Sequence, residues 1–86
     1  ALSDEVYIYP TISNEKIFVD NLVENAEIEI FNINGQLVLQ KKFRTADNNA
    51  IPLTDLQSGM HLVRVKSDDS VKTFKIIKFK NLTFAN

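Results

Sequence analysis

Residues 27–43 read EIEIFNINGQLVLQKKF, and this stretch decides how the rest of the chain is interpreted. Two apolar, β-branched runs flank Asn34 and Gly35, and both of these residues accept a positive φ at low steric cost. A type I′ turn has the same twist as the strands that it joins, so the pair predicts a β-hairpin with such a turn at its tip.

Alternation within the two arms predicts which side chains are buried. In the first arm Ile28 and Ile30 share one face, while Glu27 and Glu29 point to water from the other. The second arm opens with three consecutive apolar residues at positions 37–39, where we expect either burial on both faces or a β-bulge.

Short β-prone runs recur on both sides of this hairpin, with turn signals roughly every 8–12 residues and no helical period. Pro10 predicts that the first run is an edge strand or that a strand ends there, residues 11–14 are a connector, and residues 50–53 are expected to form a short edge strand. Thr54 is placed to cap a single helical turn that Gly59 ends. The five further strands are predicted at residues 6–9, 16–20, 50–53, 60–66 and 71–79.

This pattern predicts an all-β fold, a small antiparallel immunoglobulin-like β-sandwich of about seven strands. Residues 1–79 form the sandwich and residues 80–86 a C-terminal tail without a clear pattern. The predicted core consists of Ile17, Val19, Ile28, Ile30, Val38, Val63, Val65, Phe74 and Ile76.

Composition narrows the functional classes. Ten basic and eleven acidic residues leave a net charge of −1, which offers no attraction to nucleic acid or an anionic membrane. The absence of cysteine excludes disulfides and cysteine-based zinc sites. No apolar run approaches the length of about 18 residues that would predict a membrane-spanning helix. The start at Ala1, without a basic-then-apolar segment, indicates a processed or excised chain.

No group of residues has the pattern of an active site. His61 is the only histidine, and its position on a strand face with Val63 and Val65 predicts a structural role. The acidic pairs at 4–5 and 68–69 lack the alternating ligands of a calcium loop. The serines and threonines have no base to activate them, so we expect neither catalysis nor a cofactor or metal.

Two other motifs have ordinary explanations. Residues 41–44, KKFR, combine cations with an aromatic ring as nucleic-acid binders do, but lysines at a strand end also discourage edge-to-edge aggregation. The sequon at residues 81–83 is short enough to arise by chance.

Three separated stretches together resemble a known family. They are residues 9–19, which begin YPT; residues 28–38 around the asparagine-glycine hairpin; and residues 53–65, LTDLQSGMHLVRV, followed by TFKIIK at 73–78. Their order and spacing resemble the type A C-terminal sorting domain of the type IX secretion system, found in secreted proteins of Bacteroidota. The resemblance extends from about Val6 to Lys78.

The resemblance implies an immunoglobulin-like export signal that follows a cargo domain in the same chain. It implies recognition by the type IX translocon in the outer membrane and removal by a sortase-like protease. The cargo is then secreted or linked to lipopolysaccharide at the cell surface. Neither nucleic-acid binding nor membrane insertion is expected of the domain.

Individual positions carry the resemblance and also depart from it. The family often has Pro-Asn-Pro where this chain has Pro10, Thr11 and Ile12, and tyrosine at the position of His61. The chain also continues for eight residues beyond the terminal lysine motif. By resemblance, the sorting-signal residues are Pro10, Gly35, Gly59, Lys75, Ile76, Ile77 and Lys78.

The final strand is expected to be recognised as well as folded. Lysines recur there at every third residue, so Lys75 lies opposite the buried face, while Lys72 and Lys78 lie at its two ends and reach water. An unpaired edge of this strand would admit a receptor strand, with the lysines fixing its register. Alternatively, the lysines only protect that edge. Replacement of Lys75 and Lys78 by glutamine is predicted to leave stability nearly unchanged.

Two other functions are compatible with the same fold. One is an immunoglobulin-like adhesion or carbohydrate-binding module of a secreted Bacteroidota protein, and the other is an inert accessory domain. Carbohydrate binding needs exposed aromatic rings, and the chain has no tryptophan. The aromatic residues that could serve are Tyr7, Tyr9, Phe18 and Phe31.

Overall fold

The computed structural model describes residues 6–20, 22, 25–44, 49–68 and 70–79, and these residues form strands and turns. The predicted tail at 80–86, the acidic pair at 4–5 and the sequon lie outside the described residues. The strands are β1 (Tyr7–Tyr9), β2 (Ile12–Ser13), β3 (Lys16–Asp20), β4 (Ala26–Asn32), β5 (Leu37–Phe43), β6 (Ala50–Pro52), β7 (Gly59–Lys66) and β8 (Val71–Lys78).

The eight strands form two sheets. One has the order β1-β3-β6 and the other the order β2-β8-β7-β4-β5, so the chain changes sheet at Pro10, between β1 and β2. Every pair is antiparallel except β2 and β8, which run parallel. The prediction of a small immunoglobulin-like β-sandwich is confirmed, with one strand more than expected. No helix in the described ranges is long and apolar enough to cross a membrane.

The core lies between the inner faces of the two sheets and largely matches the predicted set. Phe74 is only half-buried against it, and Val38 was wrongly assigned because it is exposed. Several residues were missed, because they lie in short strands, in turns and loops, or at the ends of the long strands β4 and β5. The buried side chains not predicted as core are Val6, Ile8, Leu22, Ala26, Phe43, Ile51, Leu53 and Leu56.

A β-bulge explains the exposure of Val38. The register passes from Ile30 opposite Leu39 to Phe31 opposite Leu37, so Val38 is the extra residue of β5. The expectation of a bulge is therefore confirmed, and burial on both faces is not observed.

The hairpin tip differs from the predicted type I′ turn. The Gly35 amide donates to the Asn32 carbonyl at 3.0 Å, and the Asn32 amide donates to the Gln36 carbonyl at 3.0 Å. These two hydrogen bonds close a three-residue loop at positions 33–35, in which Gly35 follows the two central residues of a β-turn. Gly35 has the expected positive φ of 82°, but the turn begins one residue earlier than predicted. The Asn32 side chain favours this loop because its Oδ1 accepts from the amides of Asn34 and Gln36.

Two other local predictions are corrected. Residues 53–56 form a β-turn closed by the Leu56 amide and the Leu53 carbonyl at 3.0 Å, so Thr54 caps no helical turn. The connector at 11–14 contains strand β2. Because β2 lies beyond β8, the last strand is not the outermost strand of its sheet. The edge positions predicted for residues 6–9 and 50–53 are confirmed, since β1 and β6 flank β3.

Candidate recognition surface

Most of the sequence-predicted sorting residues lie at one end of the five-stranded sheet. Gly59 at the start of β7 is the Cα partner of Lys78 at the end of β8. On the other side of β8, Ile12 is the partner of Ile77. Pro10 is two residues before Ile12, so three separate parts of the predicted motif, Pro10, Gly59 and residues 75–78, meet where β8 ends.

Strand β2 is fastened to the end of β8 although it has only two residues. The Ile77 amide donates to the Thr11 carbonyl at 2.8 Å, and the Phe79 amide donates to the Ser13 carbonyl at 3.1 Å. The buried Ser13 hydroxyl in turn donates to the Lys16 carbonyl at 2.7 Å and accepts from the Lys16 amide at 3.2 Å. These bonds hold the segment after Pro10 to both sheets, because β2 pairs with β8 in one sheet and Lys16 begins β3 in the other.

Gly59 occupies a backbone conformation that other residues rarely adopt. Its φ is +128°, and a Cβ built on it would meet no atom within 4 Å, so conformation rather than space requires glycine. The residue His61 is 4% exposed, and its Nδ1 lies 3.1 Å from the Gly59 carbonyl. This is the structural role predicted for His61. In the described part of the chain, no three His, Cys, Asp or Glu residues are grouped so as to hold a metal ion.

Lys78 differs from the prediction that its ammonium group reaches water. Its residue is 8% exposed, and Nζ donates to the Leu56 carbonyl at 3.2 Å. Lysine stems can carry a charge outward from a buried strand end. Here the 53–56 turn covers the end of the strand, so the ammonium group donates to the carbonyl of that turn instead of reaching water. Lys72, at the other end of the same face, places Nζ 3.4 Å from the Val6 carbonyl.

Lys75 and Gly35 occupy different parts of this end. Lys75 is exposed on the outer face of β8, and no ion pair joins it to another described residue. Gly35 lines a cavity at the hairpin tip together with Met60 and Leu62 of β7. Strand β7 separates this hairpin from β8, so Gly35 belongs to the same end of the sheet without adjoining the lysine motif.

Glu29 lies on the predicted outer face but is buried, contrary to the expectation that it points to water. Its residue is 7% exposed because cations from the neighbouring strand β7 cover it. The Arg64 guanidinium places Nη2 2.7 Å from Glu29 Oε1, and Lys66 Nζ lies 3.9 Å from Oε2. Arg64 also lies over the Phe31 ring, at 5.0 Å from its centroid.

The aromatic residues considered for carbohydrate binding are placed on both sheets. Tyr9 and Phe18 stack on each other with centroids 5.4 Å apart, and Tyr7 lies 5.6 Å from Tyr9. Sugar rings bind to free aromatic faces, and stacking occupies those between Tyr9 and Phe18. The Tyr7 hydroxyl donates to Asp20 at 2.8 Å, and this hydrogen bond raises the pKa of Tyr7 above its usual value of about 10.

Comparison with known proteins identifies a family. The model of the family described as "Secretion system C-terminal sorting domain" matches residues 7–79. A search of curated proteins found no match. Domains of this family are non-catalytic signals that direct a cargo protein through the type IX secretion system, across the outer membrane, to the cell surface or the medium. The chain therefore belongs to the family of secretion-system C-terminal sorting domains.

Proposed function

We propose that the export machinery recognises the end of the five-stranded sheet defined by residues 10–13, Gly59 and residues 75–78, here called the β2–β8 end. The type IX translocon binds this surface, and a sortase-like protease separates the domain from a cargo domain on its N-terminal side. The domain itself takes no part in catalysis. The convergence of the predicted motif residues in the Cα register carries this proposal.

The residues of the β2–β8 end have two kinds of role. Gly59 and Lys78 shape the surface, the first through its backbone conformation and the second through its bond to the Leu56 carbonyl. Lys75 and Ile77 are exposed and available to a partner. A cation without an ion-pair partner among the described residues favours an acidic group on the partner, because complementary charge orients an encounter.

The open edge of β8 is a second observation that favours recognition of this strand. Strand β2 pairs only with Ile77 and Lys78, so residues 71–76 have no strand beyond them in the part of the chain that the structure describes. A receptor strand can extend the sheet there by main-chain hydrogen bonds. The short β2 would then set where such a strand must end.

Export of a fusion protein tests the proposal. A reporter with a signal peptide and these residues at its C-terminus is produced in a host with a type IX system, and extracellular and surface-bound reporter are measured. We expect Lys75→Gln to lower export roughly tenfold, the effect of losing about 1.4 kcal/mol of binding free energy. The melting temperature should not change, because exposed charges contribute little to stability.

The matched control is Lys42→Gln, which removes an exposed cation from the same outer face at the opposite end of the sheet. Undiminished export of the folded Lys75 variant would contradict the role of Lys75 and leave it as edge protection. Lys78 is unsuitable for this test since it is buried, and its replacement alters the fold as well as the surface.

A further inference from the structure

An apolar band crosses the outer face of the five-stranded sheet beside the β2–β8 end. Its side chains come from all five strands and from the hairpin tip, and Phe31 lies half-buried beneath them. Ile12 neighbours Ile77 across β2 and β8, and Phe31 is the Cα partner of both Leu62 and Leu37. The exposed members of the band are Ile12, Ile33, Leu37, Met60, Leu62 and Ile77.

This band departs from the usual composition of a solvent-facing sheet. Antiparallel sheets with one face in water alternate apolar residues inward with polar residues outward. The other half of the same outer face follows that rule, since Glu27, Glu29, Arg64 and Lys66 form its ion pairs. Exposed apolar side chains that are contiguous rather than scattered mark an interaction site.

A cavity within the band gives it a shape that suits a protein partner. Phe31, Ile33, Met60 and Leu62 supply the apolar part of the lining of a volume of about 290 Å³ between β7 and the hairpin tip, and Asn32, His61 and Arg64 border it as well. It accommodates a bulky side chain of the kind that anchors a protein interface.

Charge at the edge of the band limits the chemistry of the partner. Lys75 is the Cα partner of Leu62, so its ammonium group stands beside the band on the same face. The two carboxylates of this face, Glu27 and Glu29, are engaged by Lys66 and Arg64 at the other half of the strands. Among the described residues of the face, Lys75 is therefore a cation that a partner carboxylate can pair with.

We infer that the apolar band docks a segment of a partner protein in which a bulky apolar side chain lies close to a carboxylate. The apolar side chain fills the cavity beside Leu62, and the carboxylate pairs with Lys75. Cross-strand neighbours on one face stand about 5 Å apart, so the two groups belong to the same few residues of the partner. This surface shares Ile12, Ile77 and Lys75 with the β2–β8 end. Its other side chains, on β4, β5, β7 and the hairpin tip, lie outside that end.

Selection from a random peptide library on the purified domain tests the inference without relying on export. We expect enriched peptides to combine an aromatic or branched aliphatic residue with aspartate or glutamate. Leu62→Thr and Lys75→Glu should each weaken the selected peptides at least about tenfold, the size of effect that separates an anchor from a neutral contact.

Val71→Thr is the matched control for Leu62→Thr. Val71 is exposed on the same outer face of β8 but at its opposite end, beside Lys66, so its replacement should leave affinity unchanged. Selected peptides without acidic residues, or peptides whose affinity Leu62→Thr leaves intact, would overturn the inference. Both variants change exposed side chains, and their melting temperatures verify that they remain folded.

Oligomeric state distinguishes a second copy of the chain from a foreign partner. Light scattering of the purified domain should give a monomer. A dimer that Leu62→Thr dissociates would overturn the inference, because it would show that the apolar band binds a second copy of the chain. Improved peptide affinity of a chain ending at Phe79 would overturn it in favour of the chain's own residues 80–86.

Discussion

At the scale of single residues, a solvent-facing position does not guarantee exposure. The alternation of β4 correctly placed Glu29 on the outer face, but it carried no information about the neighbouring strand. Arg64 and Lys66 reach Glu29 from the neighbouring strand β7, and their long side chains cover a carboxylate that alternation alone would leave in water. Burial of this carboxylate is therefore a cross-strand property, set by a register that local sequence does not encode.

Gly35 is the opposite case, because the need for glycine at this position comes from its own backbone conformation and not from neighbouring strands. Its φ is +82°, and no atom lies within 4 Å of a Cβ built on it. We expect Gly35→Asn to be tolerated, since asparagine adopts left-handed conformations. Gly35→Val should lower the free energy of unfolding by about 1–3 kcal/mol, because a β-branched residue resists positive φ. Urea denaturation measures both, and equal stability of the two variants would show that positive φ is not what this position demands.

At the scale of elements, the buried faces of the long alternating strands were predictable, whereas the two-residue strand β2 and the exact hairpin turn were not. Strands β3, β4 and β7 alternate over five residues or more, so their buried faces follow from period two. Strand β2 has two residues, too few for any period, and only its bonds to β8 define it. The hairpin tip was misplaced by one residue because the Asn32 side chain competes with the asparagine-glycine signal.

The bulge in β5 gives a test of which apolar residues stabilise the hairpin. Ile30 is fully buried, whereas Val38 is the bulged residue and 40% exposed. Ile30→Ala should cost about 2–5 kcal/mol through lost burial and the cavity that remains. Val38→Thr should change stability by less than about 0.5 kcal/mol, as surface substitutions do. Thermal and urea unfolding provide the comparison, and a large loss for Val38→Thr would contradict its exposed position.

At the scale of the whole molecule, side chains from the last strand connect parts that are distant in sequence. Lys78 reaches the Leu56 carbonyl in the 53–56 turn, and Lys72 reaches the Val6 carbonyl before β1. Neither contact was predictable, because each depends on how the two sheets pack. The location of most motif residues at one end of the sheet was not predicted either, because it follows from the register of β2, β7 and β8.

The different surroundings of Lys75 and Lys78 predict different effects on stability. Lys78→Ala should lower the free energy of unfolding by about 1–3 kcal/mol, because it removes buried packing and a charged hydrogen bond. Lys75→Ala, at an exposed site, should change it by less than about 0.5 kcal/mol. The two melting temperatures should therefore differ by several degrees in a domain of this size. Similar melting temperatures would mean that Lys78 does not hold the turn to the sheet.

The parallel pairing of β2 with β8 has a mechanical consequence. A load that pulls the chain backward from Ile12 and forward from Phe79 acts along both strands, in opposite directions. The bonds from Ile77 to Thr11 and from Phe79 to Ser13 then bear the load together, in shear, instead of opening one after the other. The two-residue strand β2 therefore resists separation from β8 most strongly when the load runs along the strands, and less when it pulls the two strands apart sideways.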